Sequence, residues 1–186
     1  MPFEQGSPTF GLNDGKIQNW SSAGVYNGTL TDVMSIQLGS VTQKLVSAIL
    51  TGDDRQTAIA AMAIGGTVQM RFGGLNPVMM GVLTGKTVTT IASVNQLNIK
   101  GSDRMPYIGI ILKALSAETG DTWLFLPKCK IISDFTFMQM EYGAFATPEV
   151  TLEIVDDASY GVINVITHPT DLAITVMPPA NIAVVS

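Results

Sequence analysis

Hydrophobic and polar residues alternate with a period of two along most of the chain, which is the pattern of a strand with one buried face. The alternation is most regular in residues 34–38, 68–72 and 150–154. Residues 106–115 and 122–131 flank the turn-forming sequence Thr119-Gly120-Asp121, which predicts a β-hairpin. Further strands are predicted at residues 26–31, 44–50, 58–64, 88–96, 131–142 and 163–167.

One short helix is predicted among the strands, at about residues 76–84. Asn76 suits the N-cap, Pro77 suits the first helical position and Gly85 suits the left-handed position after the last turn. No internal repeat with a period of about 20 to 50 residues is visible, which argues against a solenoid or propeller. The predicted fold class is therefore mainly β, a β-sandwich or open barrel with one short flanking α-helix.

The predicted helix has no charged face. From Gly73 to Gly85 there is no Asp, Glu, Lys or Arg, and a helix that is apolar all round is normally buried all round. Residues 108–112 and 135–140 also carry apolar side chains on both faces of a strand, so burial against copies of the same chain is favoured. The alternative is that the helix packs over one sheet. The predicted subunit-interface residues are Val78, Met79, Met80, Val82 and Leu83, and a charge at Met80 is expected to impair assembly more than folding.

Composition agrees with a shortage of ordinary solvent-facing surface. Of 186 residues, 46% are hydrophobic and 13% are charged, whereas soluble domains have about 25% charged residues. The length predicts a single domain over residues 1–186, with an extended N-terminal arm at residues 1–22 and a C-terminal extension or extra strands at residues 158–186. The net charge of −5 and the absence of basic runs disfavour tight nucleic-acid binding.

Residues that could carry catalysis or bind a metal are sparse. Cys129 is the only cysteine and His168 the only histidine, so neither a disulfide within the chain nor a cluster of such metal ligands is expected. The carboxylate pairs are Asp53-Asp54, Asp156-Asp157 and Glu149 with Glu153, and strand ends or a solvated edge explain them. We therefore predict no catalytic, cofactor or metal site and no enzymatic activity. No signal peptide or apolar stretch of roughly 18 residues is found, so a cytoplasmic site of synthesis is expected.

The order of segments from residue 33 to residue 157 resembles the major tail tube protein of long-tailed bacteriophages. "LTGDD" is followed by "AIGGTVQMRFGG", the capped "LNPVMMGVLTG" and "MPYIGIILKA". "GDTWLFLPKCKI", a Phe- and Met-rich strand ending in Glu-Tyr-Gly and "EVTLEIVDD" then complete the pattern. Residues 158–186 have no matching counterpart in that family pattern.

The resemblance implies hexameric rings that stack into a hollow tube, with strands of neighbouring copies forming one continuous barrel. It also implies tape measure, tail terminator and baseplate proteins as partners, a location in the virion tail after synthesis in the host cytoplasm, and no cofactor. DNA would pass through the bore without specific contacts, and an acidic or neutral lumen would let it slide. The alternative reading is a β-sandwich binding or virion decoration module with a carbohydrate or protein ligand.

Overall fold

The computed structural model describes residues 9–33, 36–52, 55–74, 76–116, 120–134 and 147–179. Within these residues the chain forms strands and one helix, α1 (Pro77–Thr84). The strands are β1 (Thr9–Ser22), β2 (Val25–Asp32), β3 (Ile36–Gly52), β4 (Arg55–Phe72), β5 (Thr89–Ile91), β6 (Val94–Gln96), β7 (Ile108–Ser116), β8 (Asp121–Ile131), β9 (Glu149–Ile154) and β10 (Asn164–His168).

Eight strands form one antiparallel sheet in the order β2-β1-β7-β8-β9-β4-β3, with β10 paired to β8. One edge of β8 is shared, because residues 129–131 pair with β9 and residues 121–125 pair with β10. The sheet curves until the start of β3 returns to β1. There the backbone N–H of Val33 donates to the carbonyl oxygen of Gly15 at 2.8 Å, and the side chain of Ile36 lies over Gly15. The prediction of a mainly β, sandwich-like or open-barrel fold with one short helix is confirmed.

The main hydrophobic core lies between the concave face of the sheet and α1. In β9, Val150, Leu152 and Ile154 are buried and alternate with half-buried residues. Val68 and Met70 of β4 lie directly opposite Leu152 and Val150 and are also buried. Because each such side chain contributes about 1.5–3 kcal/mol on burial, this layer fixes the register of β4 against β9.

A second apolar cluster covers the opposite face of β7 and β8. Ile111, Trp123 and Phe125 are buried there beneath Ile174 and Met177, which belong to the chain after β10. Ile108, Ile110 and Leu112 face the main core instead. Both faces of residues 108–112 are therefore covered within one chain, and this segment gives no support to burial against other copies.

The helix begins and ends where the sequence predicts. The Asn76 side chain accepts a hydrogen bond from the backbone N–H of Val78 at 2.9 Å, and Pro77 occupies the first turn. Gly85 ends the helix in the left-handed conformation with φ 69°, and the N–H of Lys86 donates to the carbonyl oxygen of Gly81 at 2.8 Å. The strands predicted at residues 26–31, 150–154 and 163–167 and the β7–β8 pair are also confirmed.

Some sequence predictions are wrong. Residues 9–22 are not an arm, because they form β1, which pairs with β2 on one side and β7 on the other. The strand predicted at residues 88–96 is divided into β5 and β6 by a turn at Ala92 and Ser93. The prediction of a C-terminal extension or extra strands at residues 158–186 is not among these errors, since its described residues include one strand, β10. Residues 132–134 are outside any strand, and residues 135–142, Asp53-Asp54, residues 1–8 and residues 180–186 lie outside the described part of the chain.

Candidate functional site

Beyond the main sheet, β3 and β4 continue as a two-stranded ribbon, residues 44–52 and 55–65. β4 pairs with β9 only from Gly66 to Arg71, whereas its pairing with β3 runs on to Arg55, opposite Gly52. At about 3.4 Å per residue, residues 55–64 extend roughly 34 Å past the last pair with β9. The ribbon is therefore a projection from the barrel and is paired to no other described strand.

Both faces of the ribbon are apolar near its base. Leu45, Val46, Met62 and Ile64 are 63%, 51%, 66% and 51% exposed. Leu45 lies opposite Ala63 and Val46 lies opposite Met62, and successive residues of a strand point to opposite faces. No Asp, Glu, Lys or Arg occurs in residues 45–52 or 56–70. A two-stranded ribbon of this kind is marginally stable alone in water, and its apolar faces and free edges are a template for another chain.

Two glycines fix the point where the ribbon leaves the sheet. A Cβ on Gly65, whose φ is +149°, would lie 2.7 Å from the carbonyl oxygen of Ile154. A Cβ on Gly66 would lie 2.7 Å from the carbonyl oxygen of Thr42. The β3–β4 register also shifts between Lys44 and Leu45. Such irregularities bend and twist a strand pair, so the direction of the ribbon is set by these residues.

The structure divides the five predicted interface residues of α1 into two groups. Met79, Met80 and Leu83 are 1%, 2% and 1% exposed and belong to the main core of their own chain. Val78 is 46% exposed and Val82 is half-buried. The interface stays a prediction, and in this conformation only Val78 and Val82 have surface available for it. Because Met80 is a core residue, its burial favours the opposite of the expectation from the sequence: a charge at Met80 should impair folding more than assembly.

A groove of about 360 Å³ lies between α1 and the β1–β2 pair. Its apolar wall consists of Val78, Val82 and Val88, and its opposite wall includes Asn19 and Thr29. Lys86, which also lines the groove, is paired with Asp103 at 2.6 Å. The groove is therefore largely neutral. It runs along the exposed side of the helix.

The convex face of β8, β9, β4 and β3 is polar. Lys44 pairs with Glu153 at 2.6 Å and Arg71 pairs with Glu149 at 2.8 Å. Glu149 and Glu153, considered in the sequence as a carboxylate pair, do share this face, but each is neutralised by a cation. Because all four side chains are about 40% exposed, these ion pairs contribute little to stability.

Two lysines of β8 extend this polar face over aromatic rings. The Lys128 ammonium lies 4.4 Å from the ring centre of Trp20 and 4.8 Å from that of Tyr107. The Lys130 ammonium lies 4.9 Å from the same Tyr107 ring. The Trp20 indole N–H donates to Asp157 at 2.8 Å, so the ring that carries Lys128 is held in place. Cation–π contacts of this kind contribute about 0.5–1 kcal/mol at exposed sites.

Residues 169–179, here called the strap, are held by a buried ion pair at the ends of β7 and β8. Lys113 and Asp121 are 4% and 1% exposed and lie 3.1 Å apart. Asp121 accepts the backbone N–H of Leu172 at 2.9 Å, and Lys113 donates to the carbonyl oxygen of Leu172 and pairs with Asp171. Burial alone would raise the pKa of Asp121, but the hydrogen bonds from Leu172 and Lys113 outweigh burial and lower it.

The two residues with the most reactive side chains occupy structural positions. Cys129 is fully buried in the main core, and burial raises the pKa of its thiol. His168 stacks against Trp123 with ring centres 4.4 Å apart. Over the ranges that the structure describes, no group of three or more His, Cys, Asp and Glu side chains could hold a metal ion.

Comparison of the sequence with protein-family models gives no match, and comparison with curated proteins finds none either. Among the described residues, no helix is both long and apolar enough to cross a membrane. The candidate functional surfaces are therefore defined by geometry and composition: the ribbon, the groove beside α1 and the polar convex face.

Proposed function

We propose that this chain is a structural subunit that assembles with copies of itself, and that its assembly is a hollow tube like the tail tube of long-tailed bacteriophages. The ribbon is the observation that carries the proposal. Near its base it has two uncharged apolar faces, and beyond the main sheet its outer strand edges pair with no other described strand. Pairing between copies would cover those faces and edges, and closing strands into a shared barrel removes free edges altogether.

The exposed apolar side chains of the ribbon would contribute part of the free energy of association. Leu45, Val46, Met62 and Ile64 are each between 51% and 66% exposed. Fully burying such a side chain contributes about 1.5–3 kcal/mol, so burying the exposed half of each contributes roughly 3–6 kcal/mol per subunit. In a closed or stacked assembly each subunit would also contact other neighbours through other surfaces, which adds to this contribution.

The convex face of β8, β9, β4 and β3 is the candidate for the wall of the bore. It is polar, and its carboxylates Glu149 and Glu153 are matched by Arg71 and Lys44. Lys128 and Lys130 add positive charge, so this face is not the acidic surface that the net charge of the chain suggests. With Lys44 and Arg71 paired to carboxylates, this face would present mainly Lys128 and Lys130 to phosphates, and so few cations would bind DNA only weakly.

Light scattering and negative-stain electron microscopy of the purified chain test the proposal. Rings or tubes are expected for the wild-type chain. Val46→Lys combined with Met62→Lys places two like charges opposite each other on one face of the ribbon, and this variant is expected to remain a small particle. Val165→Lys is the matched control, since Val165 of β10 is 68% exposed and lies outside the ribbon.

The outcomes separate the proposal from a binding or decoration module. A wild-type chain that stays a discrete small particle at high concentration would overturn the proposal and favour that second class. If the Val46→Lys, Met62→Lys variant assembles at the same concentration as the wild-type chain, assembly does not depend on the ribbon. Circular dichroism of each variant establishes that the fold is retained, which is expected because all the altered side chains are exposed.

A further inference from the structure

A second uncharged projection lies next to the helix. β5 and β6 form a finger, residues 89–96, in which all residues are exposed. Its tip carries Ile91 and Val94, which are 63% and 65% exposed. Ala92 and Ser93 between them have φ angles of 46° and 69°. Two-residue turns with positive φ at both positions match the twist of a hairpin, so the finger is a preformed apolar projection.

The groove beside α1 has the complementary character. It presents Val78, Val82 and Val88 as an apolar wall, and Lys86 in its lining is already paired with Asp103. The finger contributes no charge of its own, because residues 87–99 contain no Asp, Glu, Lys or Arg. A neutral apolar projection can enter a neutral groove without leaving a charge desolvated.

The finger of a chain does not occupy the groove of that chain. Thr87 and Val88, which lead directly into β5, form part of the groove wall. Gly81 allows this approach, since a Cβ there would lie 2.7 Å from the carbonyl oxygen of Lys86. Ile91 and Val94 at the tip are exposed and do not line this groove, so a finger could enter it only from a second copy.

We propose that Ile91 and Val94 of one copy insert into the groove of the next copy, against Val78 and Val82. This inference rests on the proposed function, because it identifies one contact of the self-assembly. Finger and groove are different patches of one surface, so the contact is head-to-tail and repeats from copy to copy. Repetition of such a contact produces a closed ring or an open helical stack.

Cross-linking between two variants, each with one introduced cysteine, tests the contact directly. Ile91→Cys is mixed with Val78→Cys under mild oxidation, and disulfide-linked dimers are measured on non-reducing gels. The buried natural Cys129, whose pKa is raised, is expected to remain unreactive. The control mixes Ile91→Cys with Val165→Cys, because Val165 is 68% exposed, more than Val78 at 46%, but lies on β10. Dimers are expected in the first mixture and only at background level in the control.

Assembly of two further variants supplies an independent measurement. Val94→Ser removes an apolar tip residue, and Thr29→Trp fills the groove from an exposed position on its opposite wall. Each is expected to raise the concentration needed for assembly roughly tenfold, the change for about one buried apolar side chain. Val165→Ser, matched in exposure to Val94→Ser, is expected to leave that concentration unchanged.

The outcomes distinguish this contact from the proposed function itself. If the wild-type chain assembles, the Val94→Ser and Thr29→Trp variants assemble equally well and the specific dimer is absent, the finger contact is wrong and the tube proposal stands. If the wild-type chain stays a single particle in scattering and microscopy but the specific dimer forms, the contact stands and the tube proposal falls. If neither assembly nor the specific dimer is observed, both proposals are overturned.

Discussion

Met80→Asp is expected to unfold the chain rather than to separate its subunits. Met80 is 2% exposed and packs in the main core with Met79 and Leu83. Losing the buried side chain costs about 1.5–3 kcal/mol, and an unpaired carboxylate in the core costs roughly 3–5 kcal/mol more. The total of about 5–8 kcal/mol is comparable to the whole stability of a typical domain, about 5–15 kcal/mol.

Urea unfolding followed by circular dichroism at pH 7 measures this loss. Met80→Leu is the control for the position, because it conserves volume and polarity and is expected to cost less than about 1.5 kcal/mol. Met62→Asp is the control for the charge, because Met62 is 66% exposed on the ribbon and should unfold at nearly the wild-type urea concentration. A Met80→Asp chain with the wild-type unfolding midpoint and a defect only in assembly would refute the core position of Met80.

Three further predictions concern the strap and the base of the ribbon. Asp121→Asn is expected to lower the free energy of unfolding by about 3 kcal/mol in urea titration, because it leaves the buried ammonium of Lys113 without its buried partner. The control, Asp171→Asn, changes a 66% exposed carboxylate and should lower the free energy of unfolding by less than about 1 kcal/mol. Burial alone would lower the pKa of Lys113, but hydrogen bonds to Asp171 and Asp121 outweigh it and raise that pKa. The stability that this raised pKa contributes is fully present below the unfolded-state pKa of lysine, about 10.4, and is lost as the pH rises through the higher folded-state pKa of Lys113. At alkaline pH the urea midpoint of the wild-type chain should therefore fall more steeply with pH than that of Asp121→Asn. Gly65→Ala is expected to lower the thermal midpoint, because its Cβ would lie 2.7 Å from the carbonyl oxygen of Ile154; an unchanged midpoint would show that the backbone relaxes there.

The sequence predicts most strands because their side chains have to divide between a core face and an outer face. β9 follows this rule at every residue, and the caps at Asn76 and Gly85 similarly determine the helix by local chemistry. β1 was missed because it carries few apolar residues. Ile17 is fully buried. At Gly15, however, the core is filled by Ile36 from another strand, and the sequence around Gly15 does not predict that contact.

The candidate surfaces were harder to predict than the strands. The strands predicted at residues 44–50 and 58–64 are confirmed. Their extension past the main sheet depends on β4 continuing beyond its last pair with β9, and the register of the strands is not readable from a local pattern. The available signal was the absence of charge from residues 45–52 and 56–70. The sequence also does not show that Met79 of α1 is buried and Val78 is exposed. A helix that is apolar on every side does not indicate which side packs on the sheet.

The sequence predicts uncovered apolar surface on the helix, whereas the structure shows more exposed apolar side chains on two projecting hairpins. The helix hides Met79, Met80 and Leu83 in its own core, and the strap hides the second face of β7 and β8. Within the ribbon and within the finger, exposed apolar side chains lie next to one another, and each hairpin lacks charge over its apolar residues. Neither hairpin has a second layer among the described residues, and the proposed assembly would supply that cover from additional copies. Under the proposed function, assembly would complete the burial of this surface, which fits a chain with only 13% charged residues.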